Sequence, residues 1–302
     1  MKLLLIGGLG YIGSYLYPYL KLQLHEIDIC DDLRRGNPSN LPCIYPYDYH
    51  GLSSKELSKY DAILWFAGHS SVIAAVDDPK GAINNNMIHL IDLLKKLPSE
   101  NIKFIYASTA SLYSGEVGYA TETARVVPYE NTYDISKFSF DYLSKSYHTN
   151  LFGLRMGTLA GFSSNIRTEL IFNQMCLSAY FTKRVKVSNK TKLRSLLFLS
   201  DLAEIVTILL KNTKAEPGFY NAASFSYSIG ELSNMISNFF HAEIITLPDT
   251  DTYSFNINTE KIASLGFKNT SNFYNQIEQF KNEIKKNEGI LKTSVLKNLK
   301  NN

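Results

Sequence analysis

Short apolar runs alternate with longer amphipathic stretches through the first half of the chain. Residues 2–6 (KLLLI), 24–30 (LHEIDIC), 61–67 (DAILWFA), 102–107 (IKFIYA) and 151–156 (LFGLRM) have the length and pattern of strands. Between them, residues 11–21, 79–97 and 132–147 carry apolar side chains at helical spacing. Asp78-Pro79 opens the second of these helices and Pro98 closes it. Pro18 falls inside the first, where it removes a backbone donor and is expected to kink or shorten the helix. Strands that alternate with helices predict an α/β fold: a doubly wound parallel sheet with both faces covered.

Beyond about residue 157 the alternation loosens. Residues 168–181, 201–211 and 228–240 read as helices, 194–199 (RSLLFL) as a strand, and the end from 275 as a Lys/Asn-rich helix and tail. A first domain is therefore expected over 1–157, with the chain returning at about 194–212 to complete its sheet. Residues 158–193 and 213–302 then form a smaller C-terminal substrate lobe, with a cleft between the lobes. The 302 residues are 45% hydrophobic and 20% charged, an ordinary globular balance that excludes wholesale disorder. A net charge of +3 is too mild for a dedicated nucleic-acid binder. Three unpaired cysteines (Cys30, Cys43, Cys176) argue against a disulfide framework and for a reducing, cytoplasmic setting. The apolar runs fall short of the roughly 18 residues of a membrane span. Glycines at 7, 8 and 10 cut the first run before it can serve as a signal peptide. The scattered histidines lack metal-ligand spacing, so no metal is expected; His69 is the one placed to touch a substrate.

Chemistry enters at the first strand–helix junction. GGLGYIG (7–13) gives G-x-x-G-x-x-G between them. The first glycine allows a tight turn, the second lets a pyrophosphate approach the backbone, and the third lets helix pack on strand. The helix start adds N–H donors and a positive dipole end. Asp31 ends the second strand, 18 residues past Gly13, where a carboxylate can accept from adenosine ribose hydroxyls. A carboxylate there repels a 2′-phosphate and favours NAD over NADP, although Arg34 and Arg35 follow closely. On 132–147, Tyr133 and Lys137 lie four apart and share a face. A cation one turn away stabilises a phenolate, and bringing a tyrosine from about 10 to about 7 needs roughly 4 kcal/mol. The segment ASTASLY (107–113) supplies hydroxyls at the carboxyl end of a parallel strand, where chemistry gathers in open sheets.

Together these segments resemble the extended short-chain dehydrogenases/reductases, in the nucleotide-sugar epimerase/dehydratase branch of which UDP-glucose 4-epimerase is the best-known type. That resemblance implies a Rossmann domain that holds NAD through Gly7, Gly10, Tyr11, Ile12 and Gly13. DDLRRGN (31–37) resembles the ribose-binding segment with Asp31, Asp32 and Leu33, and Asp48 and Tyr49 are implied as further cofactor contacts. Phe66, Ala67 and Gly68 resemble the turn after a later strand, and Asp78-Pro79 with Asn86 the helix that follows it. STASLY (108–113) places Thr109 on the catalytic Ser/Thr, with Tyr133 and Lys137 on the catalytic pair. LRMGTLAG (154–161), which includes Met156, resembles the strand that closes over the nicotinamide. RSLLFLSDLAE (194–204) resembles a segment whose arginine, here Arg194, binds the diphosphate of a sugar nucleotide. Ser111, Thr158 and Asn173 are implied as substrate contacts, and a homodimer is implied through helices near 82–97 and 132–147.

Departures narrow the chemistry. The dehydratases of the branch carry Thr-Asp-Glu where this chain has Thr109, Ala110 and Ser111, so the acid and base for 4,6-dehydration are missing. No cysteine stands near that strand end for 3,5-epimerisation, and Thr158 replaces an asparagine common in 4-epimerases. The expected activity is NAD-dependent oxidoreduction at C4 of a nucleoside-diphosphate hexose or heptose, as 4-epimerase or 4-dehydrogenase. A 4-keto-sugar reductase using NAD(P)H is the alternative, and a non-catalytic dinucleotide-binding regulator a third reading.

Overall fold

The computed structural model describes residues 1–114, 118–269 and 272–292. In chain order, the first half runs through β1 (Lys2–Ile6), α1 (Gly13–Lys21), β2 (Glu26–Cys30), α2 (Ser54–Leu57), β3 (Ala62–Trp65), α3 (Val72–Asp77), α4 (Pro79–Ile83), α5 (His89–Lys95), β4 (Lys103–Thr109), α6 (Thr132–Leu143) and β5 (Leu151–Met156). The second half holds β6 (Thr158–Ala160), α7 (Ile171–Thr182), β7 (Arg184–Val187), β8 (Leu193–Phe198), α8 (Leu199–Lys211), β9 (Gly218–Ala222), β10 (Phe225–Ser228), α9 (Ile229–Phe240), β11 (Glu243–Thr246), α10 (Glu260–Ser264) and α11 (Phe273–Lys286).

Six parallel strands form the main sheet in the order β2-β1-β3-β4-β5-β9. Alternate side chains of each strand face opposite sides. Leu3 and Leu5 of β1 pack with Leu16, Leu20, Leu202 and Val206 of α1 and α8, whereas Leu4 and Ile6 pack with Leu90, Leu94 and Phe140 of α5 and α6. Register matters for function. Ile6 lies level with Cys30 and Trp65, and Thr109 with Met156, so the turns after these strands emerge along one edge of the sheet.

Two expectations change. The run 194–199 is a strand, but β8 pairs with β6 and β10 in a separate three-stranded sheet. The stretch returns to the first domain only as α8, which packs against α1, and the strand that completes the main sheet is β9, parallel to β5. Strand propensity is local, but the choice of partner is decided by where the chain can dock. The helix expected over 79–97 is one rod in three parts, with a π-helical turn at Asn84–Ile88 between α4 and α5. α1 runs through Pro18 to Lys21 without being shortened by it. Among the described residues, no helix is long and apolar enough to cross a membrane.

Candidate functional site

Along that sheet edge opens a cavity of about 490 Å³, walled on one side by the turns after the parallel strands and on the other by residues 156–170, Arg194 and residues 253–255. The glycine turn forms its floor. Gly7 holds φ +78°, and a Cβ there would come within 2.7 Å of the Ala67 nitrogen; a Cβ at Gly13 would sit 2.3 Å from the Gly7 carbonyl oxygen. The turn therefore lies closer to its neighbours than any side chain allows. No side chain caps α1 at Ile12, which leaves the start of the helix to an incoming anion.

Asp31 lines the cavity, with its carboxylate already at work on the backbone. Oδ2 accepts from the Leu9 N–H at 3.0 Å and Oδ1 from the Leu33 N–H at 2.9 Å, so Asp31 fastens the glycine turn to the end of β2. Burial raises this carboxyl above its ordinary range, against the pull of the two amides. Asp32 pairs with Arg34 at 2.7 Å, and Arg34 lies 3.9 Å from Asp48. Of the two arginines that follow Asp31, Arg34 is thus held by two carboxylates, and Arg35 also lines the cavity.

Gly7, Gly10, Tyr11, Ile12, Asp31, Asp32, Asp48, Tyr49, Phe66, Ala67, Gly68 and Met156 all line the cavity. Three expected cofactor residues stand behind its wall. Gly13 packs under the turn, and Leu33, with φ +62°, contributes its N–H to Asp31. Asn86 is fully buried and donates to the His69 carbonyl at 3.0 Å and the Ser136 hydroxyl at 3.1 Å. Its Oδ1 would lie 2.3 Å from a Cβ at Gly68, so Asn86 buttresses that turn from behind.

Thr109, Ser111, Tyr133 and Lys137 meet at the opposite end. β4 delivers Thr109 at its last residue, and a single turn of α6 brings Tyr133 and Lys137 to the same wall. Burial raises the Tyr133 hydroxyl to about 12; the Asp134 carboxylate adds to the rise, and a hydrogen bond from Thr109 pulls it back. Burial also brings Lys137 down to about 7, with Asp141 opposing. The Lys137 ammonium donates to the Ala107 carbonyl at 3.0 Å and stands 4.5 Å over the Trp65 ring. Desolvation thus works against the phenolate–ammonium pair that the spacing predicts.

The three-stranded sheet supplies part of the far wall. Arg194, on β8, is buried and lines the cavity; it donates to the Leu193 carbonyl at 3.1 Å and to Thr252 Oγ1 at 2.7 Å, and burial lowers it to about 10. Thr158 lines the cavity as expected, but Asn173 does not. Asn173 is fully buried in α7, accepts from the Gly161 N–H at 3.0 Å, and donates to the Tyr11 hydroxyl at 3.1 Å and the Arg167 carbonyl at 2.9 Å. Its helix faces the core, so the amide ties loops together instead of meeting a ligand. Asn173→Ala should cost about 1–3 kcal/mol of stability for the partners left unpaired, checked by urea titration.

Arg167 opens the stretch 167–173 that the sequence suggests as substrate-facing and does reach the wall, whereas Tyr253 and Phe255 are wall residues that sequence reasoning missed. Arg167 is buried, paired with Glu169 at 2.7 Å and donating to the Ser70 carbonyl at 3.2 Å. Tyr253 and Phe255 belong to a strap, residues 249–255, that runs from Asn189 past Arg194 on β8 to Asp134 on α6. Tyr129 donates to the Asp251 carboxylate at 2.7 Å, Thr252 meets Arg194, and Tyr253 donates to Asp134 at 2.6 Å.

The sequence profile of the NAD dependent epimerase/dehydratase family matches residues 3–223. The chain belongs to that family. Among curated relatives of this epimerase/dehydratase chain, the UDP-glucose 4-epimerase of Corynebacterium glutamicum is 29% identical over 170 residues, 54% of this chain and 51% of that one. The ADP-L-glycero-D-manno-heptose-6-epimerase of Brachyspira hyodysenteriae is 25% identical over 275 residues, 82% and 85% of the two chains. The chain thus spans about half the length of the first of these relatives and most of the second. Among solved structures, a UDP-glucose 4-epimerase from Thermotoga maritima, crystallised with UDP-glucose, superposes with a TM-score of 0.84 at 18% identity over 95% of this chain and 99% of that one. At that identity the likeness speaks for the shared fold.

Proposed function

We propose that the protein oxidises or epimerises a nucleoside-diphosphate sugar at C4 with NAD. The observation that carries this reading is the gathering of Thr109, Tyr133 and Lys137 in one cavity with the glycine turn and the buried Arg194. The cradle at Gly7 and Gly13, the uncapped start of α1 and the carboxylates Asp31 and Asp32 fit the dinucleotide. Bound NAD supplies the hydride acceptor. Tyr133 takes the proton of the reacting hydroxyl, Thr109 holds that oxygen, and Lys137 sets the charge beside them. Arg194 neutralises the diphosphate of the substrate, and Ser111 and Thr158 flank the sugar. A keto sugar that turns over within the cavity before it is reduced again would leave as a C4 epimer, and one released unreduced would make the protein a dehydrogenase.

A second reading moves the chemistry to C6 of a heptose, and the Brachyspira heptose-6-epimerase favours it because the likeness runs through most of both chains. Incubation with UDP-, GDP-, CDP-, ADP- and dTDP-linked hexoses and an ADP-heptose, followed by product analysis, decides between the two. A product from a hexose supports C4 chemistry, a product from the heptose alone supports C6, and none from the whole panel removes both. Tightly held NAD in the purified protein marks an epimerase; exchangeable NADPH marks a reductase.

A homodimer completes the proposal. The two helices implied for its interface expose Ile88, Ile135 and Tyr142, apolar side chains that a second copy would cover. Sedimentation at micromolar protein is expected to show a dimer, and monomer alone would overturn it. Three free cysteines and a nucleotide-linked substrate fit the cytoplasm.

A further inference from the structure

One turn beyond Lys137, on the same face of α6, stands a buried charge that the proposed chemistry does not use. Asp141 is 3% exposed and accepts from three side chains: the Tyr106 hydroxyl at 2.9 Å on Oδ1, and the Ser108 hydroxyl at 2.9 Å and Arg155 Nε at 3.3 Å on Oδ2. Arg155 is buried as well, and its Nη1 donates onward to the Tyr113 hydroxyl at 2.8 Å. The neighbouring strand is shaped to admit this cluster: a Cβ at Gly153 on β5 would lie 2.7 Å from the Tyr106 hydroxyl oxygen. A buried ion pair is weak support for a fold, because apolar side chains of the same volume often pack as well or better. Such a pair is better explained by what it holds in place.

Tyr106 and Ser108 project from one face of β4, and between them the Ala107 carbonyl accepts from the Lys137 ammonium at 3.0 Å. Ser108 lies level with Arg155 across the sheet, so β4 and β5 close on the same carboxylate. α6 is thus fastened to β4 as a ladder. Asp141 meets residues 106 and 108, Lys137 meets residue 107, and Thr109 and Tyr133 reach the cavity beyond. The bond from Lys137 does not choose a register, because every strand residue offers a carbonyl. The two hydroxyls do choose one. Phe104, the preceding residue on that face, has no donor, so a helix shifted by two strand residues would leave Asp141 without one of its partners.

We propose that Asp141 is a positioning residue that sets Lys137 and Tyr133 against the end of β4. The inference rests on the reading of those two residues as the catalytic pair. Asp141 lies behind the cavity wall and acts through Tyr106 and Ser108, whose hydroxyls fix α6 against sliding along the strand. With that register set, the ammonium one turn earlier stays on the Ala107 carbonyl and 4.5 Å over the Trp65 ring. Arg155 supplies the opposite charge for a carboxylate that burial alone would neutralise, and Tyr113 steadies Arg155 from the segment after β4. The pair therefore holds geometry, and geometry is what a proton transfer demands: a displacement of about an ångström can lower a rate by about 100-fold.

The test uses the NAD holoenzyme and a sugar nucleotide that it turns over in the panel above. Asp141→Ala would leave Arg155 unpaired in the interior, so the two hydroxyls are removed instead. Tyr106→Phe, Ser108→Ala and the double variant cut the ties and keep Asp141, Arg155 and Lys137. The double variant should lose about 10–100-fold in kcat. Its KM for the sugar nucleotide and its NAD affinity should stay within about twofold of wild type, because Arg194 and the glycine turn are untouched. Ser108→Thr, which keeps the hydroxyl, should stay close to wild type. Unchanged kcat in the double variant overturns the inference, as does equal loss in Ser108→Thr and Ser108→Ala. A loss shared by kcat, substrate binding and NAD affinity also overturns it, since that marks a loosened fold. If the double variant does not fold, Ser108→Ala decides: kcat lower by about three- to tenfold at unchanged KM supports the inference, and unchanged kcat overturns it. Full turnover in Lys137→Met, or none by wild type with any sugar nucleotide, overturns the reading of the catalytic pair and the inference with it.

Discussion

Replacing Tyr133 with Phe is expected to lower turnover of the sugar nucleotide by about 10²–10⁴-fold, the range that a positioned acid–base group contributes. The phenol stands beside Thr109 at the end of β4, where the reacting hydroxyl would meet it, and Phe keeps the ring in place. The variant loses only the hydroxyl and keeps the ring, so stability should change by about 1 kcal/mol. NAD affinity should hold, because the glycine turn and Asp31 lie at the other end of the cavity. Steady-state kinetics beside a dinucleotide titration check both halves. Unchanged turnover with every candidate sugar nucleotide would remove Tyr133 from the chemistry.

Arg194→Ala should weaken sugar-nucleotide binding by about 1.5–3 kcal/mol, the worth of a hydrogen bond to a charged group. Arg194 is buried, lowered by that burial, and pairs with a threonine and a main-chain carbonyl instead of a carboxylate. A guanidinium so placed has charge to spare for a diphosphate, and its planar fork meets two oxygens at once. Dinucleotide affinity should be unchanged. Calorimetric titration of both ligands separates the outcomes: equal loss for both marks a folding defect, and loss for neither puts the diphosphate elsewhere.

The main parallel sheet and its covering helices were legible in the sequence because their signals are local. Glycine spacing, an acid at the end of the second strand and a Tyr–Lys pair one turn apart each fall within a single strand–helix junction or a single helix, and each reaches the cavity wall. What could not be read depends on distant neighbours. RSLLFL reads as a strand in any context, but which sheet takes it depends on β6 and β10, some 30 residues away on either side. The family resemblance implies Asn173 as a substrate contact; only packing shows that it is fully buried. Tyr253 and Phe255 come from an irregular segment, where periodicity carries no information about direction. The π turn at 84–88 is invisible to a helical pattern, since one extra residue in a turn leaves the apolar spacing on either side intact.

The strap at 249–255 bears on how such an enzyme can be re-engineered. Within four residues it touches Arg194, which would grip the substrate, and Asp134, which lies next to the base, and it adds two rings to the cavity wall. A chimera that takes its second lobe from a relative would therefore replace Tyr253 along with the specificity loops, and so alter the environment of a residue that belongs to the first. On the roles proposed for Arg194 and Tyr133, substrate range and catalytic competence are not separable modules. New specificity would have to be evolved with position 253 and the Asp134 contact held fixed, or with both halves varied together.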